Sequence, residues 1–433
     1  MIAYSRNIPL KYDVDVFVAG GGPSGVAAAL AASRLGKRVF LAESQAMLGG
    51  AGTAGLVPAF APFGDGVNVL AAGIGCEIRK MVSRDVPLDT YWTPIRVEEL
   101  KRAYDEVMAA SSVEYSLFTK LCDVAATDGH IDYVVLSAKS GLFAVKAKVY
   151  VDCTGDGDLC ALGGGKFEMG DEQGNVMPPT LCSLWSNIDF SRVTLNGEAR
   201  LEEAFRDGVF TYEDRHLPGF FRANAEKGIG GGNLGHAFGV NPIDERSLTK
   251  AVSWARRSML EYGRYYREYI PGYENAELVV TAAMLGVRES RRITCDYTLN
   301  IGDFVGRSVF EDEIGRYCYP VDIHVMNTEK EEYDRFRKEY EKQYRYGKGE
   351  SYGIPYRSLI PVSFSNALVA GRCIGTDRQM QASIRVMPGC FITGQAAGAA
   401  AALAACDGDV RRVEAASLQE KLAGLGAYLP NRL

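Results

Sequence analysis

Two short apolar runs near the amino terminus begin the regular part of the hydrophobic pattern. Residues 16–19 and 39–42 contain no polar side chain, which is typical of parallel strands buried on both faces. The Ala-rich segment 26–35 between them contains no helix breaker, so it predicts a helix packed closely on a sheet. The pattern therefore predicts a strand–helix–strand unit over residues 14–43, with Glu43 at the end of its second strand.

A small antiparallel meander is predicted farther along the chain. Helical spacing of apolar residues over 67–82 and 97–110 is followed by strand-like runs at 113–118, 121–126, 131–138 and 142–151. Asp128-Gly129 and Ser140-Gly141 are turn signals between these runs. The last run leads into Thr154 and Gly155, so small residues stand at the carboxyl end of a parallel strand, where ligands bind in such folds.

The pattern of the first unit returns near the carboxyl terminus. Residues 367–370 predict an apolar strand ending at Gly371, and Pro388 is a start signal for a helix over 389–405. This helix contains two glycines, Gly394 and Gly398, each costing about 1 kcal/mol relative to alanine. We therefore expect close backbone packing, in particular against the first helix.

The two ends of the chain are expected to form one discontinuous domain. It would comprise residues 1–164 and 350–433, with residues 165–349 inserted as a substrate or cap domain. The insert has strand candidates and predicted helices at 198–205, 247–269 and 329–344. Its tyrosine stripe (Tyr262, Tyr265, Tyr266, Tyr269) is interpreted as packing.

Three glycines follow the first strand at G-x-G-x-x-G spacing. Gly20 permits the tight turn, Gly22 lets a pyrophosphate approach the backbone, and Gly25 lets the helix lie close to the strand. The helix amino terminus offers N–H groups to phosphate, and Glu43 can accept hydrogen bonds from a ribose diol. The unit therefore predicts dinucleotide binding. The glycine stretch 228–233 follows no buried apolar strand and is predicted to be a loop, so no built-in NAD domain is expected.

Composition and charge exclude several classes of protein. Of the 433 residues, 47% are hydrophobic, and the formal charge of -6 argues against nucleic acid or an anionic membrane as the main partner. The ten cysteines form no C-x-x-C pair or zinc-type cluster, so no metal site is predicted and free thiols in a reducing compartment are expected. Charged residues interrupt the amino terminus, and we expect a soluble cytoplasmic protein.

Six ordered motifs resemble those of the bacterial FAD-dependent oxidoreductase family, which is similar in fold to the glutathione-reductase and fumarate-reductase flavoproteins. They lie at residues 20–25, 152–158, 286–292, 354–361, 370–373, and 383–388 with 394–398. The resemblance covers nearly the whole chain. It implies an α/β fold, with a Rossmann-type FAD-binding domain (a parallel sheet with an antiparallel meander) and an inserted α+β substrate or cap domain.

The resemblance also implies which residues hold FAD. The pyrophosphate would lie on the glycine turn, the adenosine ribose on Glu43, adenine near the Leu121 backbone, and the flavin at the start of the last long helix. The residues implied are Gly20, Gly22, Pro23, Ser24, Gly25, Glu43, Gly49, Gly50, Leu121, Thr154, Gly155, Gly371, Pro388, Gly389 and Cys390. Arg372 stands where many relatives carry a ribityl-binding acid, and no histidine in 44–66 supports a covalent flavin link there.

Four residues are candidates for the substrate side of the flavin. The arginine-rich stretch from Arg288 to Arg292 can hold a carboxylate or form an internal ion pair with Glu289, and Arg385 precedes the helix expected to face the flavin. Tyr356 and His236 are candidate proton donors or acceptors, or a packing tyrosine and a structural histidine. For Arg385 the structural alternative is an ion pair, for instance with Asp377.

Three classes of function stay open. The first is hydride transfer between flavin N5 and a small organic, possibly anionic, substrate. The second is a non-redox flavoprotein of the tRNA-modifying or thiazole-forming type, although no basic stretch favours tRNA. The third is a flavin-carrying electron-transfer subunit. Substrate, electron acceptor and oligomeric state are left open.

Overall fold

The computed structural model describes residues 1–2, 5–83, 86–87 and 90–432, with backbone alone at 337 and 339–343. The strands are β1 (Leu10–Ala19), β2 (Val39–Ala42), β3 (Ala59–Phe60), β4 (Thr93–Pro94), β5 (Glu114–Ser116), β6 (Lys120–Thr127), β7 (His130–Ala138), β8 (Gly141–Asp152), β9 (Phe167–Met169), β10 (Ser183–Ser186), β11 (Phe220–Asn224), β12 (Ile229–Gly232), β13 (Glu277–Thr281), β14 (Arg291–Ile293), β15 (Glu313–Tyr317), β16 (Tyr352–Pro355) and β17 (Ala367–Val369). The helices are α1 (Pro23–Arg34), α2 (Ile74–Val82), α3 (Val97–Ala109), α4 (Asp158–Leu162), α5 (Leu201–Arg206), α6 (Glu245–Tyr269), α7 (Ile301–Gly306), α8 (Lys330–Gln343), α9 (Arg378–Ile384), α10 (Met387–Ala404) and α11 (Ala415–Gly424).

A seven-stranded sheet carries the first unit predicted from the sequence. Its order is β5-β2-β1-β8-β7-β6, and β17 pairs with β8. Strand β8 joins two kinds of pairing: its first half is antiparallel to β7, and its second half is parallel to β1 and β17. The apolar ends of β1 and β2 are buried on both faces, as in a parallel sheet covered by helices. The fold is thus α/β of the Rossmann type, and the meander is β6–β8.

Helices α1 and α10 pack against each other on this sheet, as the glycines of the last helix predict. A Cβ added at Gly394 would lie 2.6 Å from Ser24 Cα, and one added at Gly398 would lie 2.7 Å from Ala28 Cα. Only glycine permits this approach. Among the described helices no single one is long and apolar enough to span a membrane; α9 and α10 pass that test only together, bent by 94°.

Three local predictions were wrong. Helix α2 begins at Ile74, not at residue 67. The run at 113–118 forms β5, which pairs in parallel with β2 and so belongs to the parallel part of the sheet, not the meander. The stretch 228–233 contains strand β12, which lies between β10 and β11. Its glycines are required because a Cβ at Gly230 would lie 2.7 Å from Ile188 Cδ1, and one at Gly231 would overlap Pro58.

The apolar side chains form two cores. The second core runs from Leu181 to Leu285, within the predicted insert, and contains the tyrosine stripe of α6, which is packing as interpreted. The first core contains the sheet, α1 and α10, and also Ile293, Tyr317 and Ile354. The division at residues 164 and 350 therefore stays a prediction, because part of the predicted insert packs on the first core. Ala283 N and Met284 N donate to Ala54 O, which ties the second unit to a loop of the first.

Candidate active site

The glycine turn after β1 has the shape that a dinucleotide requires. Gly20 adopts φ +93°, and a Cβ on Gly25 would overlap the Gly20 carbonyl oxygen, so neither tolerates a side chain. A Cβ on Gly22 would meet nothing within 4 Å, so this side of the turn is open. Helix α1 begins there with Pro23, and Gly22 at its amino-terminal cap provides no side-chain hydrogen bond. The N–H groups at this end, including that of Ser24, are therefore suited to pyrophosphate oxygens.

Glu43 faces the same turn. Its Oε2 accepts a hydrogen bond from Gly21 N at 2.6 Å, and its Oε1 accepts one from Gln45 N at 2.7 Å. The side chain is buried, with 7% of its surface exposed. Ser44 Oγ also donates to Oε1 at 3.2 Å. A carboxylate has about four acceptor sites, so these three bonds orient it and leave one site for a ribose hydroxyl.

The glycine loop after β2 lies directly on this turn. Gly49 N donates to Gly21 O at 2.8 Å, and Gly49 and Gly50 have φ values of +99° and +48°. A Cβ on Gly50 would lie 3.2 Å from Gly22 Cα. The loop is therefore a second wall of the cleft that begins at Gly22.

The end of β8 supplies Thr154 and Gly155. Asp152, fully buried, accepts hydrogen bonds from Thr154 N and Thr154 Oγ1, and burial raises the pKa of its carboxyl to about 6. Arg372 crosses to this loop, where its Nε donates to Gly155 O at 2.9 Å and its Nη2 pairs with Asp156 at 2.6 Å. Arg372 thus fixes the loop that carries Thr154 and Gly155.

Leu121 lies on strand β6, half-buried, opposite Leu136. The residues next to Glu43 are instead those just before β6: Thr119 N donates to Glu43 O, and Glu43 N donates to Ser116 O, both at 2.9 Å. A backbone contact of Leu121 with adenine stays a prediction.

The start of α10 closes the cleft opposite α1. Its cap, Val386, makes no side-chain hydrogen bond, and Pro388 occupies its first turn. Gly371, at φ +83°, lies between the two helices: a Cβ there would be 2.8 Å from Ser24 Oγ and 3.6 Å from Cys390 Sγ. A Cβ on Gly389 would lie 3.1 Å from Ile384 Cδ1. Burial raises the pKa of Cys390 to about 12, so this thiol is neutral.

Arg385 lies at the bend between α9 and α10. Its Nη2 donates to the carboxylate and the carbonyl of Asp322, both at 2.9 Å, whereas its Nε is buried without a hydrogen-bond partner. Asp377, the partner suggested from the sequence, was the wrong one: it caps α9 by accepting from Met380 N and also accepts from Ile301 N. One donor of Arg385 is therefore left without an acceptor in a buried position.

Arg288 is buried beside Arg385. It donates to Pro178 O at 2.7 Å, to Thr180 Oγ1 at 2.8 Å and to Asn233 Oδ1 at 3.3 Å. Burial, with the neighbouring charge of Arg385, lowers the pKa of Arg288 to about 10. The alternative expected for the stretch 288–292, an internal ion pair with Glu289, is confirmed at Arg292, which pairs with Glu289 at 3.0 Å; Glu289 also pairs with Arg378, and not with Arg288.

Tyr356 lies in the first core and not with these arginines. Its hydroxyl donates to Val410 O at 2.8 Å, and burial raises its pKa well above the usual range. The structure therefore favours the packing interpretation of this tyrosine. Arg291, a further arginine of the same stretch, pairs with Asp158 at 2.8 Å at the edge of the Thr154 loop.

His236 belongs to a cluster that the sequence analysis missed. Its Nδ1 lies 3.1 Å from Asp214 Oδ1, and its Nε2 lies 2.8 Å from His324 Nδ1. His216 stacks on His236 with ring centroids 4.6 Å apart. On its other side, His324 Nε2 lies 3.5 Å from Asp322, the partner of Arg385, so the cluster is continuous with the bend before α10. A signal was present: the triplets at 214–216 and 322–324 share the spacing Asp-x-His.

The glycine turn, the acid at the end of β2 and the uncapped helix starts are typical of a dinucleotide-binding protein of the Rossmann type. Residues 15–422 match the model of a family described as FAD dependent oxidoreductase, so the chain belongs to that family and its cofactor is FAD. The residues present fit this group, because the side of Gly22 is open and both helix starts lack side-chain caps.

Two solved structures are similar over most of their length. A geranylgeranyl bacteriochlorophyll reductase-like protein from Thermoplasma acidophilum has 11% identity and a TM-score of 0.48, with 96% of this chain and 83% of that chain covered. The p-nitrophenol 4-monooxygenase PnpA from Pseudomonas putida DLL-E4 has 13% identity and a TM-score of 0.45, with 95% and 84% covered. A search of curated proteins found no match.

Proposed function

We propose that the protein transfers hydride between FAD and a small organic molecule that carries a carboxylate or another anionic group. Bound FAD supplies the hydride donor or acceptor. The observation that carries the proposal is the pair Arg288 and Arg385: Arg288 is buried, Arg385 has 11% of its side chain exposed, and the charge of Arg385 helps to lower the pKa of Arg288. Asp322 already pairs with Arg385, whereas the hydrogen-bond acceptors of Arg288 among the described residues are neutral, so a bound anion would gain an ion pair with Arg288.

The two arginines differ in how they are held. Arg288 is anchored by three neutral acceptors, whereas Arg385 is held by Asp322 and keeps 11% of its side chain exposed. A guanidinium group can only donate hydrogen bonds and stays cationic, which suits a carboxylate or a polarised carbonyl. The expected role of both residues is to bind and orient the substrate.

Two histidines of the cluster are uncharged at neutral pH. Burial, followed by the charge of Arg288, lowers the pKa of His324 to about 3, and burial lowers that of His216 well below its usual range. Such low pKa values make both imidazoles weak bases, so neither is assigned the proton of the reaction. His236 joins them through its 2.8 Å contact with His324.

The proposed location is the cytoplasm. It is supported by the ten free cysteines, which include exposed Cys122 and Cys406 and are typical of a reducing compartment.

The experiment is anaerobic bleaching of the bound flavin by a panel of hydroxy acids, amino acids, uncharged sugars and amines. We expect only members with an anionic group to bleach it, and we expect Arg288→Lys to lose bleaching while retaining FAD, because lysine lacks the planar fork. Arg291→Lys is the matched control, since Arg291 pairs with Asp158 instead. Equal bleaching by uncharged sugars, or normal bleaching in Arg288→Lys, would contradict the proposal.

A further inference from the structure

Three of the four histidines of the chain converge at one buried point. One ring nitrogen from each of His216, His236 and His324 lies within 4.8 Å of those of the other two. The Nε2 atom of His216 is buried and has no hydrogen-bond partner. An unpartnered buried nitrogen is unfavourable, so this atom points to a missing partner.

The two aspartates determine where the imidazole protons lie. An ionised carboxylate only accepts hydrogen bonds, so Asp214 takes the Nδ1–H of His236 and Asp322 takes the Nε2–H of His324. The remaining nitrogens, His236 Nε2 and His324 Nδ1, then face each other at 2.8 Å with a lone pair on each. Two lone pairs at this distance repel unless a proton or a metal ion lies between them.

A metal ion suits this arrangement better than a proton. A shared proton would join only His236 and His324 and leave the buried Nε2 of His216 without a partner, whereas one metal ion can bind all three rings. Neutral imidazoles backed by carboxylates are the usual arrangement at zinc sites, where the carboxylate fixes the ring and its tautomer. At zinc–nitrogen distances of ~2.0–2.1 Å, two tetrahedral ligands lie about 3.3 Å apart, so His236 and His324 would separate by about half an ångström.

We propose that His216, His236 and His324 bind one divalent transition-metal ion of the zinc type, with Asp214 and Asp322 as the carboxylates behind two of the ligands. Three protein ligands leave a fourth position open, as in catalytic rather than structural zinc sites.

The net charge around the cluster affects which ligand the metal would take at its open position. Arg288 and Arg385 balance Asp214 and Asp322, so a bound dication leaves an excess of two positive charges. An anionic ligand at the open position would neutralise this excess. That last step rests on the proposed function, whereas metal binding itself does not.

The first test is calorimetric titration of the FAD-loaded protein with Zn²⁺ after removal of metal by a chelator. We expect one tightly bound Zn²⁺ per chain. His216→Gln and His324→Gln should each weaken it by more than about 100-fold, because loss of an outer carboxylate alone typically weakens binding 10–100-fold. His130→Gln is the control, since His130 lies on β7, bonded to Ser365 and outside the cluster. Zn²⁺ binding that the two cluster variants leave unchanged would overturn the proposal.

A second test uses the unaltered protein, so it holds even where a variant fails to fold. X-ray absorption at the zinc edge should show nitrogen ligands with imidazole scattering at ~2.0–2.1 Å; sulfur at ~2.3 Å would place the metal on a cysteine and refute the site. Absence of tight Zn²⁺ binding, with bleaching by anionic substrates intact, would overturn the metal site alone. Tight binding without such bleaching would overturn the proposed function alone.

Discussion

Two backbone N–H groups orient the Glu43 carboxylate beside the glycine turn. We therefore expect its charge to contribute to FAD affinity. Glu43→Gln keeps the shape of the side chain but removes the charge. A hydrogen bond to a charged group contributes about 1.5–3 kcal/mol, so we expect FAD to bind roughly 10–100-fold more weakly. Fluorescence titration of the apoprotein with FAD measures this.

The control for that experiment is Glu77→Gln, which removes an exposed carboxylate paired with Arg34 away from the glycine turn. Its FAD affinity should equal that of the unaltered protein. Equal affinity in Glu43→Gln would remove the carboxylate charge from the ribose site.

A second prediction concerns Arg385, whose pairing with Asp322 is compatible with two roles, substrate binding and a structural ion pair. If the guanidinium binds substrate, Arg385→Lys should retain FAD and melting temperature but lose turnover, since lysine cannot reproduce the planar fork. Arg411→Lys is a matched control: Arg411 makes a similar two-bond pair with Asp296 and contacts the Phe364 carbonyl. A lowered melting temperature with normal turnover in Arg385→Lys would make Arg385 a structural tie.

Single residues also mark the limit of what the sequence could predict about the site. The spacing Gly20, Gly22, Gly25 follows one local turn and was sufficient to predict it. The partners of Arg288 and Arg385 come from segments 55 to 110 residues away, so no local pattern contained them. His216 and His324 join for the same reason, and only their shared Asp-x-His spacing hinted at a relation.

At the scale of elements, the contact between α1 and α10 is the feature most open to test. Alanine at Gly394 gains about 1 kcal/mol of helix propensity, but its Cβ would overlap the backbone of Ser24. Overpacking against a backbone that cannot move typically costs about 1–3 kcal/mol or more, so steric overlap outweighs propensity and the melting temperature should fall.

Gly424→Ala in α11 is the control, because a Cβ there would meet nothing within 4 Å. Its melting temperature should stay level or rise slightly. Thermal unfolding followed by circular dichroism compares the two variants, and an unchanged melting temperature in Gly394→Ala would show that the helices are not in tight backbone contact.

Helix α6 and strand β12 show why some elements were predicted from the sequence and others were not. Helix α6 was predicted to within two residues because its apolar face repeats regularly over 25 residues. Strand β12 was missed because three of its four residues are glycine, which propensity assigns to loops. Tertiary contact decides there: only glycine fits between Ile188, Phe220 and Pro58.

At the scale of the whole molecule, the described residues form one turn suited to a dinucleotide. The parallel part of the sheet, α1 and α10 surround this turn at Gly22, and its open side fits the FAD of the family. In the described part of the insert, the sheet β11-β12-β10-β13 is antiparallel and no strand leads through a glycine turn into a helix. A second nucleotide therefore has no Rossmann site of its own in the described residues.

The prediction is that NADH and NADPH do not reduce the bound flavin efficiently. In an anaerobic stopped-flow experiment with micromolar NADH or NADPH, flavin absorbance should stay constant on the time scale of turnover, whereas dithionite should bleach it completely. Bleaching by dithionite shows that the flavin can be reduced. A lack of reaction with NADH would then mean that the protein does not bind the nucleotide productively, and not that the reduction potential of the flavin is too low. Rapid bleaching by either nucleotide would mean that the chain binds a nicotinamide without a Rossmann unit, and the electron partner would then be the nucleotide itself.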